Sequence, residues 1–409
     1  MKTKTRTRIL CETLAMIMLC QLGYAAQETA FDGRQKLASA NIGFAFKLLR
    51  QIVHDQPGTN VFISAYGAST VLQMVCNGAA GQTKAEMDRV LGTTGMPQDT
   101  LNAAAREFDK SINGRGSNVV LATANALWYR KGLSLKPEFL ACNQQFFGAT
   151  VEALDFKDSH SIAVMNAWAS EKTHGRITSV ANGLMNPLTE LFLANAVYFK
   201  GKWEEPFEVG NTKDRVFHLR GSRQRKVLMM EQSRTFVYRR GTGYQAVRLP
   251  YQGGSLCMYV FLPDAGSGPE KLLGILTGDK WERVTQPGFR EQPGTVVLPR
   301  FKIEYGIELE HSLKALGMKT VFGPADLSGI SIPSPFVSAV RQRAFVDVNE
   351  EGTEAAAVTM LMVEAAGMEM NPPKPFEMIV DRPFLFLIED KETRTILFMG
   401  AVFDPGASS

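Results

Sequence analysis

The stretch Val346-Asp347-Val348-Asn349-Glu350-Glu351-Gly352-Thr353-Glu354-Ala355-Ala356-Ala357-Val358-Thr359 holds residue types suited to mechanical rather than catalytic chemistry. A strand-like run meets two acids and a glycine, then a tract of small side chains. By propensity alone this is as readily a strand, a turn and an alanine-rich helix. Parity adds information, because alternate residues of a strand face opposite sides. The odd-numbered set Thr353, Ala355, Ala357, Thr359, Leu361 and Val363 is uncharged, whereas the even-numbered set carries Glu354 and Glu364. The segment is therefore fit to bury one face if it becomes a strand. The Pro-rich run Met368 to Pro375 that follows favours an extended, exposed loop.

Catalytic motifs are missing from the rest of the chain. There is no G-x-S-x-G elbow, H-E-x-x-H, C-x-x-C or glycine-rich phosphate loop. His54, His160, His174, His218 and His311 are scattered with no partner at ligand spacing, so no metal or cofactor is expected. The basic run Arg220, Arg223, Arg225 and Lys226 could bind a polyanion or help hold a protease. A solvated hairpin outweighs both readings, since no aromatic side chains interleave with the charges as nucleic-acid stacking requires.

The elements that must carry these residues belong to an exported chain. Lys2, Lys4, Arg6 and Arg8 precede an apolar run from Leu14 to Leu22 and the small-residue exit Gly23-Tyr24-Ala25-Ala26. The run is too short for a permanent membrane span. Residues 1–25 are thus expected to be a signal peptide, cleaved after Ala25, with residues 26–409 forming one domain in an extracellular or periplasmic compartment. Losing four basic residues and Glu12 takes the formal charge from +4 to about +1, so no attraction to nucleic acid or membrane follows. Cys11 and Cys20 leave with the signal. Cys76, Cys142 and Cys257 are widely spaced, and three buried apolar thiols is the simplest reading.

Apolar residues Leu37, Ala40, Phe44, Leu48, Leu49 and Ile52 recur at helical steps between Lys36 and His54. A short strand, Asn60 to Ser64, leads to a helix ending at Asn77-Gly78, where the glycine suits a left-handed cap. Thr83 and Glu86 have capping-box spacing. Val119 to Arg130 and Leu191 to Lys200 read as strands of a central sheet, the second buried on both faces. Gly253-Gly254 joins a hairpin, Val296 to Tyr305 is a further strand, Leu309 to Leu316 a short helix, and Phe384 to Val402 strand-rich. Strands and helices mix without a βαβ rhythm, which indicates an α+β fold.

Asn349 to Ala357 resembles the proximal hinge of inhibitory serpins. Asn60-Val61-Phe62-Ile63-Ser64, Asn77-Gly78-Ala79-Ala80-Gly81, Leu193-Ala194-Asn195-Ala196-Val197-Tyr198-Phe199-Lys200-Gly201, and Arg382-Pro383-Phe384-Leu385-Phe386 with Phe398-Met399-Gly400 are similar to other serpin segments, in serpin order. The resemblance implies the α+β serpin fold, with three β-sheets, about nine helices and a reactive loop at about residues 350–376. It implies a monomer that inhibits a serine protease without being an enzyme. The protease cuts the loop, and the cut loop enters the large sheet as a new strand before the acyl-enzyme is hydrolysed.

By the same resemblance Glu350, Glu351, Gly352, Thr353, Glu354, Ala355, Ala356 and Ala357 form the hinge, and Trp203 stands where the loop enters the sheet. Ser64, Gly67, Asn195 and Gln342 form the gate over sheet opening. Gly67 replaces the usual serine, Gln342 the usual histidine and Ala65 a neighbouring proline, so a rewired gate in which Gln342 bonds Asn195 is expected. Family spacing puts the scissile bond at Ala366-Gly367. The loop is several residues longer than usual before Pro383, which leaves Met368 and Met370 as alternatives. Thr353 to Asn371 contains no arginine or lysine, so an elastase-like, chymotrypsin-like or subtilisin-like target is expected, with a cysteine protease as a further partner and a non-inhibitory binding serpin as the alternative function.

Overall fold

The computed structural model describes residues 33–113, 119–182, 186–285, 288–353 and 374–407. The expected signal peptide, residues 1–25, and the tract holding Glu354, Ala355, Ala356, Ala357, Ala366, Gly367, Met368 and Met370 lie outside the described residues. In chain order the elements are α1 (33–55), β1 (Val61–Ile63), α2 (Ala65–Cys76), α3 (Gly81–Leu91), α4 (Gln98–Asn113), β2 (Val119–Arg130), α5 (Pro137–Phe147), β3 (Thr150–Leu154), α6 (His160–Lys172) and β4 (Leu191–Lys202). There follow β5 (Lys213–His218), β6 (Gln224–Gly241), β7 (Tyr244–Pro250), β8 (Leu256–Pro263), α7 (Pro269–Ile275), α8 (Gly278–Thr285), β9 (Arg290–Pro299), β10 (Phe301–Glu308) and α9 (Glu310–Ala315). The chain closes with β11 (Val337–Asn349), β12 (Gly352–Thr353), β13 (Phe376–Ile379), β14 (Phe384–Asp390) and β15 (Thr395–Val402).

One sheet has six strands in the order β10-β11-β12-β4-β2-β3. The other follows β1-β15-β14-β8-β7-β6-β9-β13, with β5 also paired to β6. Three expected sheets thus become two hydrogen-bonded networks, because the 18-residue β6 pairs with β5 along its first part and with β7 along its last. Every residue of α2 is buried, since this helix packs against β15 of one sheet and β2 and β4 of the other. The predicted apolar face of α1 joins the same core.

Tertiary contacts reassign several local signals. Gly78 is not left-handed, and the helix before it ends with Asn77 in the right-handed region. A Cβ on Gly78 would lie 2.2 Å from Ile330 Cγ1, so the glycine serves close packing instead. Val296 to Tyr305 divides at Arg300, where the chain leaves β9 in one sheet for β10 in the other. Cys142 is only half-buried, unlike Cys76 and Cys257, and all three are free thiols.

Thr83 and Glu86 lie inside α3, whose N-cap is Ala80. They secure another segment: Asp326 N–H donates to Thr83 Oγ1 at 2.9 Å, and Lys319 and Thr320 N–H groups each donate to Glu86 Oε2 at 2.8 Å. Burial works against the charged carboxylate, but these amides, Gln82 and the Thr320 hydroxyl outweigh it and hold the Glu86 pKa at about 2. A depressed carboxyl contributes stability that is complete above its ordinary 4.5 and is lost as pH falls towards 2. Glu86→Gln is therefore expected to lower the melting temperature at pH 6 and to flatten its decline between pH 4.5 and 2. Thermal melts across that range check it; equal pH slopes for parent and variant would contradict the assignment.

Candidate functional site: the fork between β4 and β11

β4 and β11 run parallel and pair from Leu191 beside Val337 to Tyr198 beside Phe345. Beyond that point they part, and β12 lies between them: Thr353 opposes Gly201 and Val348, and Gly352 opposes Lys202 and Asn349. The reversal at Glu350-Glu351 is tied down from both sides. Glu351 N–H donates to Asn349 Oδ1 at 3.1 Å, Trp203 N–H to Glu351 O at 2.9 Å, and Phe207 N–H to Glu350 O at 2.8 Å.

Gly352 has φ +151°, and a Cβ there would stand 2.1 Å from Gly201 O. Only glycine lets the turn approach the β4 backbone so closely. Thr353 is fully buried, as its odd parity predicts, and its hydroxyl lies 2.9 Å from the Tyr251 hydroxyl. Trp203 stacks on Tyr251 at 4.6 Å and donates its Nε1–H to Asn349 O at 3.0 Å, so the indole closes the fork. Burial pushes the Tyr251 pKa far up, which keeps its hydroxyl protonated.

Glu350 is buried beside Arg300, whose Nε donates to it at 2.7 Å, and it also accepts from the Thr212 hydroxyl. Burial raises the carboxyl pKa, but the Arg300 and Thr212 hydrogen bonds outweigh that and hold it below the usual carboxylate range.

Midway along the sheet Gln342, Asn195 and Asn125 oppose one another on β11, β4 and β2. Gln342 accepts from Ser64 N–H at 3.0 Å, and its amide donates to Ser64 O at 2.7 Å and Asn195 Oδ1 at 2.8 Å. Asn195 donates in turn to Asn125 Oδ1 at 2.8 Å. Ser64 caps α2 by accepting from Gly67 N–H at 3.0 Å, and its hydroxyl donates to Leu397 O at 2.9 Å. A Cβ on Gly67 would lie 2.2 Å from Asn195 Oδ1. The glycine therefore gives the Asn195 amide its place, and the long glutamine side chain reaches both Ser64 and that amide.

Glu350, Glu351, Gly352, Thr353 and Trp203 meet at the fork, and Ser64, Gly67, Asn195 and Gln342 meet midway along the sheet. Sequence reasoning missed Tyr251, Arg300, Thr212 and Asn125. Asn125 gave one signal, an amide in a run, Val119 to Tyr129, whose other members are apolar apart from Thr123. The basic run falls on the β5–β6 hairpin, with Arg220 paired to Glu270 at 3.0 Å and Arg225 to Asp404 at 3.1 Å.

The site thus lies in a mixed sheet whose two central parallel strands fork around a short antiparallel insertion. The chain belongs to the serpin (serine protease inhibitor) family, whose sequence profile matches residues 39–405. Leukocyte elastase inhibitor of Bos taurus is 37% identical over 383 residues, covering 91% of this chain and 100% of that protein. The native-state structure of the thermophilic serpin tengpin superposes with a TM-score of 0.82 at 27% identity, covering 90% of this chain and 94% of that one. Human thyroxine-binding globulin gives 0.83 at 25% identity, covering 92% and 100%. As a member of this family of protease inhibitors, the chain is not an enzyme. Among the described residues no helix is long and apolar enough to cross a membrane.

Proposed function

We propose that the chain is a secreted suicide inhibitor of serine proteases, with residues 350–376 as its bait. The serine oxygen of the protease attacks the Ala366 carbonyl carbon, the bond to Gly367 breaks, and the Gly367 amine leaves with a proton. An ester then joins the two proteins. The cut segment enters the β4–β11 fork and carries the protease along the sheet, distorting its active site. The reading rests on one observation: Gly352 and Thr353 already occupy the fork, with Thr353 facing inward.

Continued in the register of Thr353 opposite Gly201, an entering strand would meet Leu191 at Val363 and bring Ala366 opposite Leu188, just past the start of β4. A short tether is what distortion needs. Met368 and Met370, the alternative bait residues, would add roughly 7 and 14 Å of slack. The gate residues Ser64, Gly67, Asn195 and Gln342 would then set how readily β4 and β11 part, with Trp203 at the entry. The absence of arginine and lysine from Thr353 to Asn371 supports an elastase-like, chymotrypsin-like or subtilisin-like target, and the kinship with leukocyte elastase inhibitors favours the first. A cysteine protease is a further candidate. Export is supported by residues 1–25 and by a family match that begins only at residue 39.

The altered gate and the likeness to thyroxine-binding globulin favour one second reading, a binding or carrier serpin. Incubation with pancreatic elastase, chymotrypsin and subtilisin, followed by denaturing electrophoresis and mass spectrometry, separates the two. The expected result is a complex that survives denaturation and a released fragment beginning at Gly367. Cleavage without complex by all three proteases would favour the carrier. A secreted product beginning at Ala26 tests the leader.

A further inference from the structure

The basic run on the β5–β6 turn takes no part in the fork, and a cavity of about 920 Å³ lies beside it. The cavity opens where the edges of the two sheets face one another. Its walls are the free edge of β10, the loop of residues 56–60 that leads into β1, the tail of residues 403–407 that follows β15, and the β5–β6 turn. Ile303, Tyr305 and Phe403 are buried there and, with half-buried Leu219, supply apolar surface. The volume falls within the roughly 300–1,000 Å³ of small-molecule sites.

Hydrogen bonds fix each wall. Asn60 clamps the tail: its Oδ1 accepts from Phe403 N–H at 2.7 Å and Asp404 N–H at 2.9 Å, and its Nδ2 donates to Asp404 O at 2.6 Å. The Tyr305 hydroxyl donates to Gln56 Oε1 at 2.9 Å, which ties β10 to the loop. In the turn, Leu219 N–H donates to Arg223 O at 2.8 Å and Arg223 Nε to Arg220 O at 3.3 Å. Gly58 has φ +78°, and a Cβ there would stand 3.3 Å from Arg220 Cδ, so the glycine leaves that side chain its place. The charges then decide what fits. Arg220 pairs with Glu270 at 3.0 Å and lies over the Phe403 ring, Asp404 pairs with Arg225 at 3.1 Å, and Glu304 is engaged by a group of its own. Of the charged residues in this lining, Arg223 alone meets no opposite charge among the described residues.

We propose that this cavity binds a small amphipathic anion, with Arg223 taking the acidic head and Ile303, Tyr305, Leu219 and Phe403 the apolar body. A long-chain fatty acid has this chemistry. The guanidinium presents a planar pair of N–H donors that matches a carboxylate. Removing a hydrocarbon body from water supplies the affinity, and the single ion pair supplies the orientation. A polyanion suits the site less, because Arg220 and Arg225 are already held by Glu270 and Asp404 and one unpaired cation remains at the cavity. This inference goes beyond the inhibitor reading and stands whether or not residues 350–376 trap a protease.

The test titrates the intact protein with anilinonaphthalene sulfonate, an anionic head on an aromatic body, and reads its fluorescence. One probe per chain is expected, displaced by laurate and not by dodecanol, which lacks the charge. Arg223→Glu should weaken binding about tenfold or more, and Arg223→Gln, which removes the charge without reversing it, somewhat less. Leu219→Asn should weaken it about threefold by taking apolar surface from the wall. Lys226→Glu makes the same charge change on the same hairpin outside the cavity and should bind as the parent does. Arg223 is exposed, so its variants should melt as the parent does, and Arg223→Gln stands in if the glutamate variant melts early. A parent that binds no probe, or Arg223 variants with parental affinity, overturn the site. Displacement by a heparin fragment and not by laurate, with Lys226→Glu as damaging as Arg223→Glu, would make the hairpin a polyanion surface and the cavity assignment wrong.

Discussion

Thr353→Arg is expected to abolish covalent trapping while leaving the bait cleavable. Thr353 sits in a fully buried site under Trp203, with its hydroxyl on Tyr251. An arginine there would bring a charge with no carboxylate among those contacts, a cost of about 3–5 kcal/mol. The uncut protein can escape the cost, because the two-residue β12 can swing out of the fork while β4 and β11 stay paired below it. Insertion cannot, since residue 353 leads the strand. A barrier raised by about 3 kcal/mol slows insertion roughly a hundredfold, so hydrolysis of the ester overtakes it. A denaturing gel should show cleaved inhibitor accumulating and the complex band lost. Thr353→Val, which keeps the shape and loses only the hydroxyl bond, should retain most of the complex. An undiminished complex from Thr353→Arg would mean that burial of this residue is not on the trapping path.

The second large effect concerns the amide row. Gly67→Ser alone would drive a Cβ to within 2.2 Å of Asn195 Oδ1 and push that amide off both Gln342 and Asn125. Gln342→His alone is too short to keep three bonds to Ser64 and Asn195, so buried polar atoms lose their partners. Each single variant should cost about 2–4 kcal/mol. In the double variant the displaced amide, the new hydroxyl and the imidazole can satisfy one another, and a favourable coupling of about 1–3 kcal/mol is expected. Melting temperatures of the four proteins close the cycle. Strictly additive losses would show that Gly67 and Gln342 are independent, which the shared contact with Asn195 argues against.

Local patterns foretold the parts of the molecule that depend on local rules. Leu191 to Lys200 reads as a strand buried on both faces because both of its faces are apolar, and β4 is buried from Leu191 to Phe199. The inward direction of Thr353 follows from the period of two alone. The glycine pair Gly253-Gly254 turns the β7–β8 hairpin with φ +85° and +70°, as their freedom at positive φ requires. Local rules misled where a residue's partner is remote. Glu86 has the spacing of a capping box and serves Lys319 and Thr320 instead, and Gly78 has the look of a cap and is small for the sake of Ile330.

By itself the sequence determined a small-residue tract with one uncharged face, a glycine at its root and the family to which the chain belongs. These are properties of alternation, side-chain size and order along the chain. Only the tertiary structure decided what grips that root. Tyr251 is 102 residues from Thr353, Arg300 is 50 from Glu350, and Asn125 is 70 from Asn195. No periodicity links residues so far apart. Their meeting is fixed by which strands become neighbours, and that depends on burying the faces of both sheets and of α2 together, a condition on the whole chain that no local segment carries.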